Sequence, residues 1–447
     1  MSLYGVTYNT IGTLLAGITL PVWLPYVIAR HKYRASFLAR AGVLPPGVRE
    51  KLSEKPTIWL HAVSVGEFLL AHTLLEQLRP WYPRHRFVVT VTTLTGHAVA
   101  RSKLSEDDIL LFFPVEFYPV MNRIVSCVRP ELALIVETEI WPNFIYCLDK
   151  LNVPVVMVNG RLSEKSYTRY IHVKPFIRDV LRRFARFLMQ TKEGEQRIRA
   201  LGAPAEKVAV SGNIKFDSIT VSENSQPDPT LVAELDLPAD VPLLIMAALE
   251  KSGREDSVAL DVIERIRTRE PGMGLIIVPR HPERGEDIAR LVASRGYIPR
   301  RRSLKEPFDD PARQVFIVDT VGELQRFYSL ASVVYVGKSL FLPGGGQNMI
   351  EPVALGKPTV YGPYTKNFNG IADVLSGHNG AKIIYTPEEL ADTVAALYAS
   401  PADARQLVLN GQAFIRSQQG ATCKTIETIH ELLPPAASKI SDGERSR

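Results

Sequence analysis

Apolar runs bounded by turn residues recur along the chain from residue 57 to residue 385. In the first half they fall at 57–63, 86–92, 109–113, 132–136, 153–159, 187–190 and 208–211. Similar runs follow at 243–248, 274–278, 315–319, 332–337, 359–362 and 382–385. Helical spacings lie between most of them, and this strand, helix, strand alternation predicts two parallel sheets covered by helices. The polar, proline-bearing stretch ITVSENSQPDP, beginning at Ile219, separates the two sets and reads as a linker.

At 447 residues the chain exceeds one ordinary core, which agrees with two domains. The expected division is an anchor at 1–30, a first domain at 31–218, a linker at 219–230, a second domain at 231–435 and a disordered tail at 436–447. Two doubly wound Rossmann-like α/β domains joined by one linker resemble the two-domain architecture called GT-B among glycosyltransferases, an architecture that does not by itself choose a reaction. In such sheets ligands bind beyond the carboxyl ends of the strands, so motifs at those ends carry the most weight.

The first 29 residues hold no charged side chain, and 3–28 is long enough to span a bilayer as one tilted helix, though its Thr, Asn, Gly and Pro content is unfavourable. Arg30, His31, Lys32, Arg34 and Arg40 follow, a basic collar that stays on the cytoplasmic side by the positive-inside rule. The segment therefore reads as a spanning or half-inserted anchor, with a buried N-terminal helix as the plain alternative. A net charge of +6 points to an anionic surface or substrate. Nucleic acid is disfavoured, because basic residues are not interleaved with stacking aromatics and no helix-turn-helix or finger spacing occurs. A basic stretch at 168–188, with Arg169, Lys174, Arg178, Arg182, Arg183 and Arg186, reads either as a helix at an anionic lipid surface or as an ordinary amphipathic helix. Three cysteines without a CxxC pair imply neither a disulfide framework nor zinc. Walker and GxSxG motifs are missing, which removes support for P-loop and serine hydrolase chemistry.

Four motifs stand at strand ends in the first half. Ser64-Val65-Gly66-Glu67 follows 57–63, with Gly66 permitting close backbone approach and Glu67 in a helical first turn. Glu137-Thr138-Glu139-Ile140-Trp141-Pro142-Asn143 follows 132–136, Gly160-Arg161-Leu162-Ser163 follows 153–159, and Gly212-Asn213-Ile214-Lys215-Phe216-Asp217 follows 208–211. Each alone is explained by helix dipoles and turns. Acids and cations converging on one sheet edge are what acid/base and charge-stabilising work needs. His61 is open between packing and polar support. In the second half, Gly344-Gly345-Gly346-Gln347-Asn348-Met349-Ile350-Glu351 enters a helical pattern, and free amides there predict a phosphate site. Arg280, beside Pro279 and His281, offers a planar fork for phosphate, and Val321, Gly322 and Glu323 offer groups for a base. His281 is better placed for phosphate than for zinc, and no cluster has metal-ligand spacing.

Taken together, HAVSVGE (His61 to Glu67), ETEIWPN, NGRLS, GNIKFD, PRHPER, VGEL and GGGQNMIEP resemble the 3-deoxy-D-manno-octulosonic acid (Kdo) transferases. The resemblance implies two GT-B domains facing a central cleft at the cytoplasmic face of a bacterial inner membrane. It implies transfer of Kdo, with inversion, from CMP-Kdo to the lipid A precursor in lipopolysaccharide biosynthesis, with no cofactor and no metal. By it Glu67 is the general base, Glu137 and Lys215 stabilise the transition state, and Pro279, Arg280, Val321, Gly322, Glu323, Asn348, Met349, Ile350 and Glu351 hold CMP. Ala248-Leu249-Glu250-Lys251-Ser252-Gly253-Arg254-Glu255 departs from the family's Ser-Thr-His turn and Gly-Glu-Glu, Gln347 replaces a usual histidine, and Lys338 replaces a common glycine. The competing readings are a UDP-sugar transferase or epimerase of the same architecture, and a non-catalytic nucleotide-binding scaffold.

Overall fold

The computed structural model describes residues 2–29, 31–217, 219–222, 226–368 and 371–435. The chain forms two units, Met1–Ser218 with Gln418–Arg447, and Ile219–Ser417. The returning segment corrects the expected second-domain range of 231–435: helix Ala421–Leu432 belongs to the first unit. Asp217 explains this locally. Its carboxylate accepts from the Gly420 amide at 2.7 Å and from the Thr422 hydroxyl at 2.6 Å, which caps that helix. Tyr82 Oη adds a 2.6 Å bond to the Leu433 carbonyl. The expected tail at 436–447 lies outside the described residues, as do Arg30, residues 223–225 of the linker, and the side chains of His31, Lys32 and Arg34 in the basic collar.

The first unit is built on β1 (Thr57–Ala62), β2 (Arg86–Val91), β3 (Ile109–Phe112), β4 (Leu132–Val136), β5 (Val155–Gly160), β6 (Arg186–Met189) and β7 (Val208–Val210). All pairings are parallel, in the order β3-β2-β1-β4-β5-β6-β7. Every residue of β1, β2, β4 and β5 is buried, because helices cover both faces. Trp59 and Ile135 pack into one core layer, Leu60 and Leu134 into the other. Strand order reverses between β1 and β4, so the ligand crevice lies beyond these two ends.

The second unit repeats the plan with β8 (Leu243–Leu249), β9 (Gly274–Pro279), β10 (Ile298–Arg301), β11 (Gln314–Ile317), β12 (Val333–Val336), β13 (Thr359–Tyr361) and β14 (Lys382–Ile383). The order is β10-β11-β9-β8-β12-β13-β14, again parallel, with the reversal between β8 and β12. The pattern of apolar runs misses β10, whose Ile-Pro-Arg-Arg is a half-exposed edge.

Residues 3–29 form helix Leu3–Ala29, but among the described residues no helix is long and apolar enough to cross a membrane. Its start is fastened to the first unit. Ser2 Oγ donates to Asp179, Asn9 Nδ2 donates to Asn143 Oδ1 at 2.7 Å, and Tyr8 stacks on Phe176 with centroids 5.2 Å apart. Ile11, Leu14, Leu15 and Ile18 are exposed beyond these contacts. The basic stretch resolves into helices Glu164–Ile171 and Lys174–Leu181, the second burying Ile177, Val180 and Leu181.

Candidate functional site

Glu67 and Glu137 stand at the ends of β1 and β4, on either side of the reversal in strand order. Ser64 caps helix Val65–Leu78 by accepting from the Glu67 amide. The Glu67 carboxylate reaches back, accepting from the Val63 amide at 2.7 Å and from Ser64 Oγ at 3.0 Å. This reciprocal arrangement resembles a capping box, and it fixes the carboxylate at the strand end. A carboxylate has about four acceptor sites, so two such bonds leave it capacity to take a proton. Gly66 has an ordinary negative φ, and a Cβ there would meet only Ser64 Oγ, at 4.0 Å. Its bare face beside Glu67 is open space, so backbone strain does not demand glycine at this position.

Glu137 leaves β4 with φ 61°, in the left-handed region that favours glycine. Its amide still bonds the Val158 carbonyl, so the sheet holds the strained residue in place. Burial raises the Glu137 carboxyl above the ordinary carboxylate range; Lys215 opposes this, Glu67 adds to it, and Arg161 opposes it. Glu139 is shifted further. Burial, then the charges of Glu67 and Glu137, push it up to about 7, against an opposing effect of Trp141. The structure therefore brings Glu67, Glu137, Glu139, Lys215 and Arg161 into one electrostatic group. Glu139 had no assigned role in the sequence reading, because its position in a strand-end turn does not reveal its burial.

Lys215 sits in the 3-10 turn Ile214–Phe216. Asn159 Oδ1 accepts from the Ile214 amide at 3.0 Å and Asn213 Oδ1 from the Lys215 amide at 3.1 Å, so both asparagines serve to place this turn. His61 settles on packing. It is fully buried, stacks on Phe113 at 3.8 Å, and has its Nδ1 3.0 Å from Thr90 Oγ1; burial lowers its imidazole to about 3. A ring kept neutral in this way does not supply charge to the site.

In the second unit, Arg280 is exposed at the end of β9, while its amide bonds the Leu249 carbonyl. Val321 is 86% exposed beside Gly322 at φ 89°. The Glu323 side chain is engaged by Arg302 at 2.7 Å and by Arg326 at 3.4 Å, leaving the neighbouring backbone as the accessible part of that turn. The glycine loop narrows the expected phosphate site to the residues after the glycines. The Gly345 and Gly346 amides are consumed by the carbonyls of Tyr364 and Lys338, both at 2.8 Å. Among the described residues, those of Gln347, Asn348 and Met349 take no backbone acceptor. Asn348 Nδ2 bonds Glu351 at 2.7 Å, and burial raises the Glu351 carboxyl. Met349 and Ile350 are buried, so their side chains anchor the loop.

Glu255, which nothing in the sequence distinguishes from its neighbours in the departing stretch, is a buried carboxylate at the β8/β12 reversal. It accepts from the amides of Glu250 at 2.9 Å, Lys338 at 2.7 Å and Ser339 at 3.2 Å, and from Tyr335 Oη at 2.9 Å. A Cβ on Gly337 would lie 3.0 Å from this carboxylate and 2.7 Å from Leu249 Cδ2, which requires glycine there. Lys338 adopts φ 56°, in the left-handed region that favours glycine. Among the described residues, no group of acids, histidines and cysteines is arranged to hold a metal.

Residues 35–218 match the family described as 3-deoxy-D-manno-octulosonic-acid transferase (kdotransferase). The chain is 30% identical over 417 residues to the 3-deoxy-D-manno-octulosonic acid transferase of Haemophilus influenzae, covering 89% of this chain and 94% of that protein. The enzyme of the same name from Chlamydophila psittaci is 29% identical over 418 residues, covering 92% and 94%. A glycosyltransferase structure from Rickettsia africae shares the fold, with TM-score 0.56 at 12% identity over 86% of this chain and all of that one. The chain belongs to the Kdo transferase family of glycosyltransferases.

Proposed function

We propose that this Kdo transferase takes Kdo from CMP-Kdo and attaches it to a hydroxyl of the lipid A precursor, at the cytoplasmic face of the inner membrane. The carrying observation is the pair Glu67 and Glu137 across the β1/β4 reversal, with Lys215 in electrostatic reach. Glu67 acts as general base: its carboxylate removes the acceptor proton as the oxygen attacks the anomeric carbon of Kdo. The bond from that carbon to the CMP phosphate breaks as the new glycosidic bond forms, and the configuration inverts. Lys215 and Glu137 stabilise charge at the reacting centre, and Lys215 offsets the cost of burying the second carboxylate. Pro279, Arg280, Val321, Gly322, Glu323 and Asn348 through Glu351 hold CMP. Arg280 and the amides preceding helix Ile350–Ala354 receive the negative charge of the leaving phosphate without a metal.

Helix Leu3–Ala29 serves as a membrane-associated anchor. Its docked start and the exposed apolar side chains beyond it support this reading. The relatives disfavour a UDP-sugar enzyme and a silent scaffold. The test is incubation of purified protein with the lipid A precursor and either CMP-Kdo or UDP-sugars, with and without chelator. Mass spectrometry is expected to find the Kdo adduct from CMP-Kdo alone, unaffected by the chelator. Transfer from a UDP-sugar, or loss of activity on chelation, contradicts the reading.

A further inference from the structure

A second charged group lies against the Glu67 turn. The Thr92 and Thr93 amides bond the Val63 carbonyl at 3.2 and 3.1 Å, and a Cβ on Gly96 would lie 3.5 Å from the Ser64 carbonyl carbon. Helix Leu94–Lys103 therefore begins against the start of helix Val65–Leu78. Arg40 reaches this junction. Its guanidinium donates to the Thr92 carbonyl, bonds Ser36 Oγ at 3.1 Å, and lies 5.0 Å from the centre of the Phe112 ring. His97 stacks on the same ring at 4.1 Å, and the exposed Arg101 follows one turn later. After burial, the charges of Arg101 and Arg40 are what depress the His97 imidazole, which places the three groups close together.

Arg79, Arg86, Arg183, Arg284 and Arg302 of this protein each pair with carboxylates. Among the described residues, neither Arg40 nor Arg101 does. Arg40 is half-buried against neutral acceptors and an aromatic ring, and burial lowers its pKa with no carboxylate to oppose it. His97 and Arg101 also line an apolar pocket with Val43, Leu44, Leu110 and Ile124. Two guanidinium groups beside a neutral imidazole, edged by an apolar wall, fit an anionic group carried on an amphiphile.

We propose that Arg40, His97 and Arg101 form a subsite for a phosphate monoester of the acceptor glycolipid, beside the hydroxyl that Glu67 deprotonates. The assignment rests on the reading of Glu67 as base toward that acceptor. Guanidinium forks suit a phosphate dianion, and seating the phosphate there orients the nearby hydroxyl.

The test uses full-length protein in neutral detergent, with phosphorylated lipid A precursor and the same lipid enzymatically dephosphorylated. Arg101→Gln, at an exposed position, and His97→Gln as a second variant are expected to raise KM for the phosphorylated acceptor about tenfold, the effect of about 1.4 kcal/mol. Both are expected to leave kcat within about twofold and to leave the dephosphorylated acceptor unaffected. Equal effects on both acceptors overturn the subsite. An effect that appears only when anionic phospholipid vesicles are added assigns the cluster to a bilayer headgroup and overturns the acceptor assignment. Donor-free binding of a fluorescent phosphorylated precursor supplies a separate readout. A tenfold weaker Kd in Arg101→Gln supports the subsite even if Glu67→Ala proves active, whereas an unchanged Kd overturns it.

Discussion

At the scale of single residues, the structure shows Glu67 in its helix-starting role, and the proposed role as base builds on the same contacts. The carboxylate starts a helix by reciprocal capping with Ser64, and the same bonds hold it at the strand end where chemistry is expected. Gly66 separates the two roles. Because its φ is ordinary and open space adjoins it, Gly66→Ala is expected to fold normally, with a stability gain of at most about 0.5–1 kcal/mol. Steady-state kinetics is expected to show transfer falling through KM for the acceptor, since the added methyl occupies the approach to Glu67. Glu139 gives a pH signature. Its folded carboxyl titrates near 7, above the ordinary value of 4.5, so the folded state holds a proton that the unfolded chain releases between those two values. Stability from this group is complete below about pH 4.5 and declines as pH rises toward 7. Thermal melts of Glu139→Gln and wild type are expected to converge near pH 4.5 and to separate by pH 8, with the variant the more stable. A constant difference across that range contradicts the assignment.

At the scale of elements, the strand ends were legible because their motifs follow apolar runs directly: SVGE after β1, ETEIWPN after β4, GNIKFD after β7. Legibility failed where partners are remote in sequence or already engaged. β10 escaped because a half-exposed edge strand with one proline and two arginines lacks an apolar run. The glycine loop was read as offering free amides, but Lys338 and Tyr364 consume two of them. Glu255 was read only as part of a departure from the family pattern, although it organises the ends of β8 and β12 together. A glutamine there presents an NH2 group to one pair of the donors that the carboxylate now accepts. Glu255→Gln is therefore expected to cost the second unit about 2–3 kcal/mol in denaturant unfolding. It is also expected to weaken CMP binding in calorimetry. Unaltered stability and affinity contradict its role as a clamp.

At the scale of the whole molecule, two doubly wound units were apparent from strand, helix, strand alternation alone. The return of helix Ala421–Leu432 to the first unit was not, because the Asp217 bonds that fix it join residues about two hundred positions apart. The N-terminal helix shows a similar limit. Length and lack of charge fit a spanning segment, while among the described residues no helix is long and apolar enough to cross a membrane. Leu14, Leu15 and Ile18 are exposed along it, and the proposed anchor role would place them in the membrane surface. Deletion of residues 2–20 is expected to abolish most co-flotation with vesicles containing anionic lipid, while leaving CMP binding intact. Undiminished flotation contradicts the anchor.

The central claim is that Glu67 takes the acceptor proton, and a single-turnover comparison tests it most directly. CMP-Kdo and the lipid A precursor are mixed with wild type and with Glu67→Ala, and CMP affinity is measured on the same samples. In Glu67→Ala, CMP affinity is expected to be unchanged and the transfer rate lower by roughly two to four orders of magnitude. Turnover in Glu67→Ala at the wild-type rate contradicts the claim.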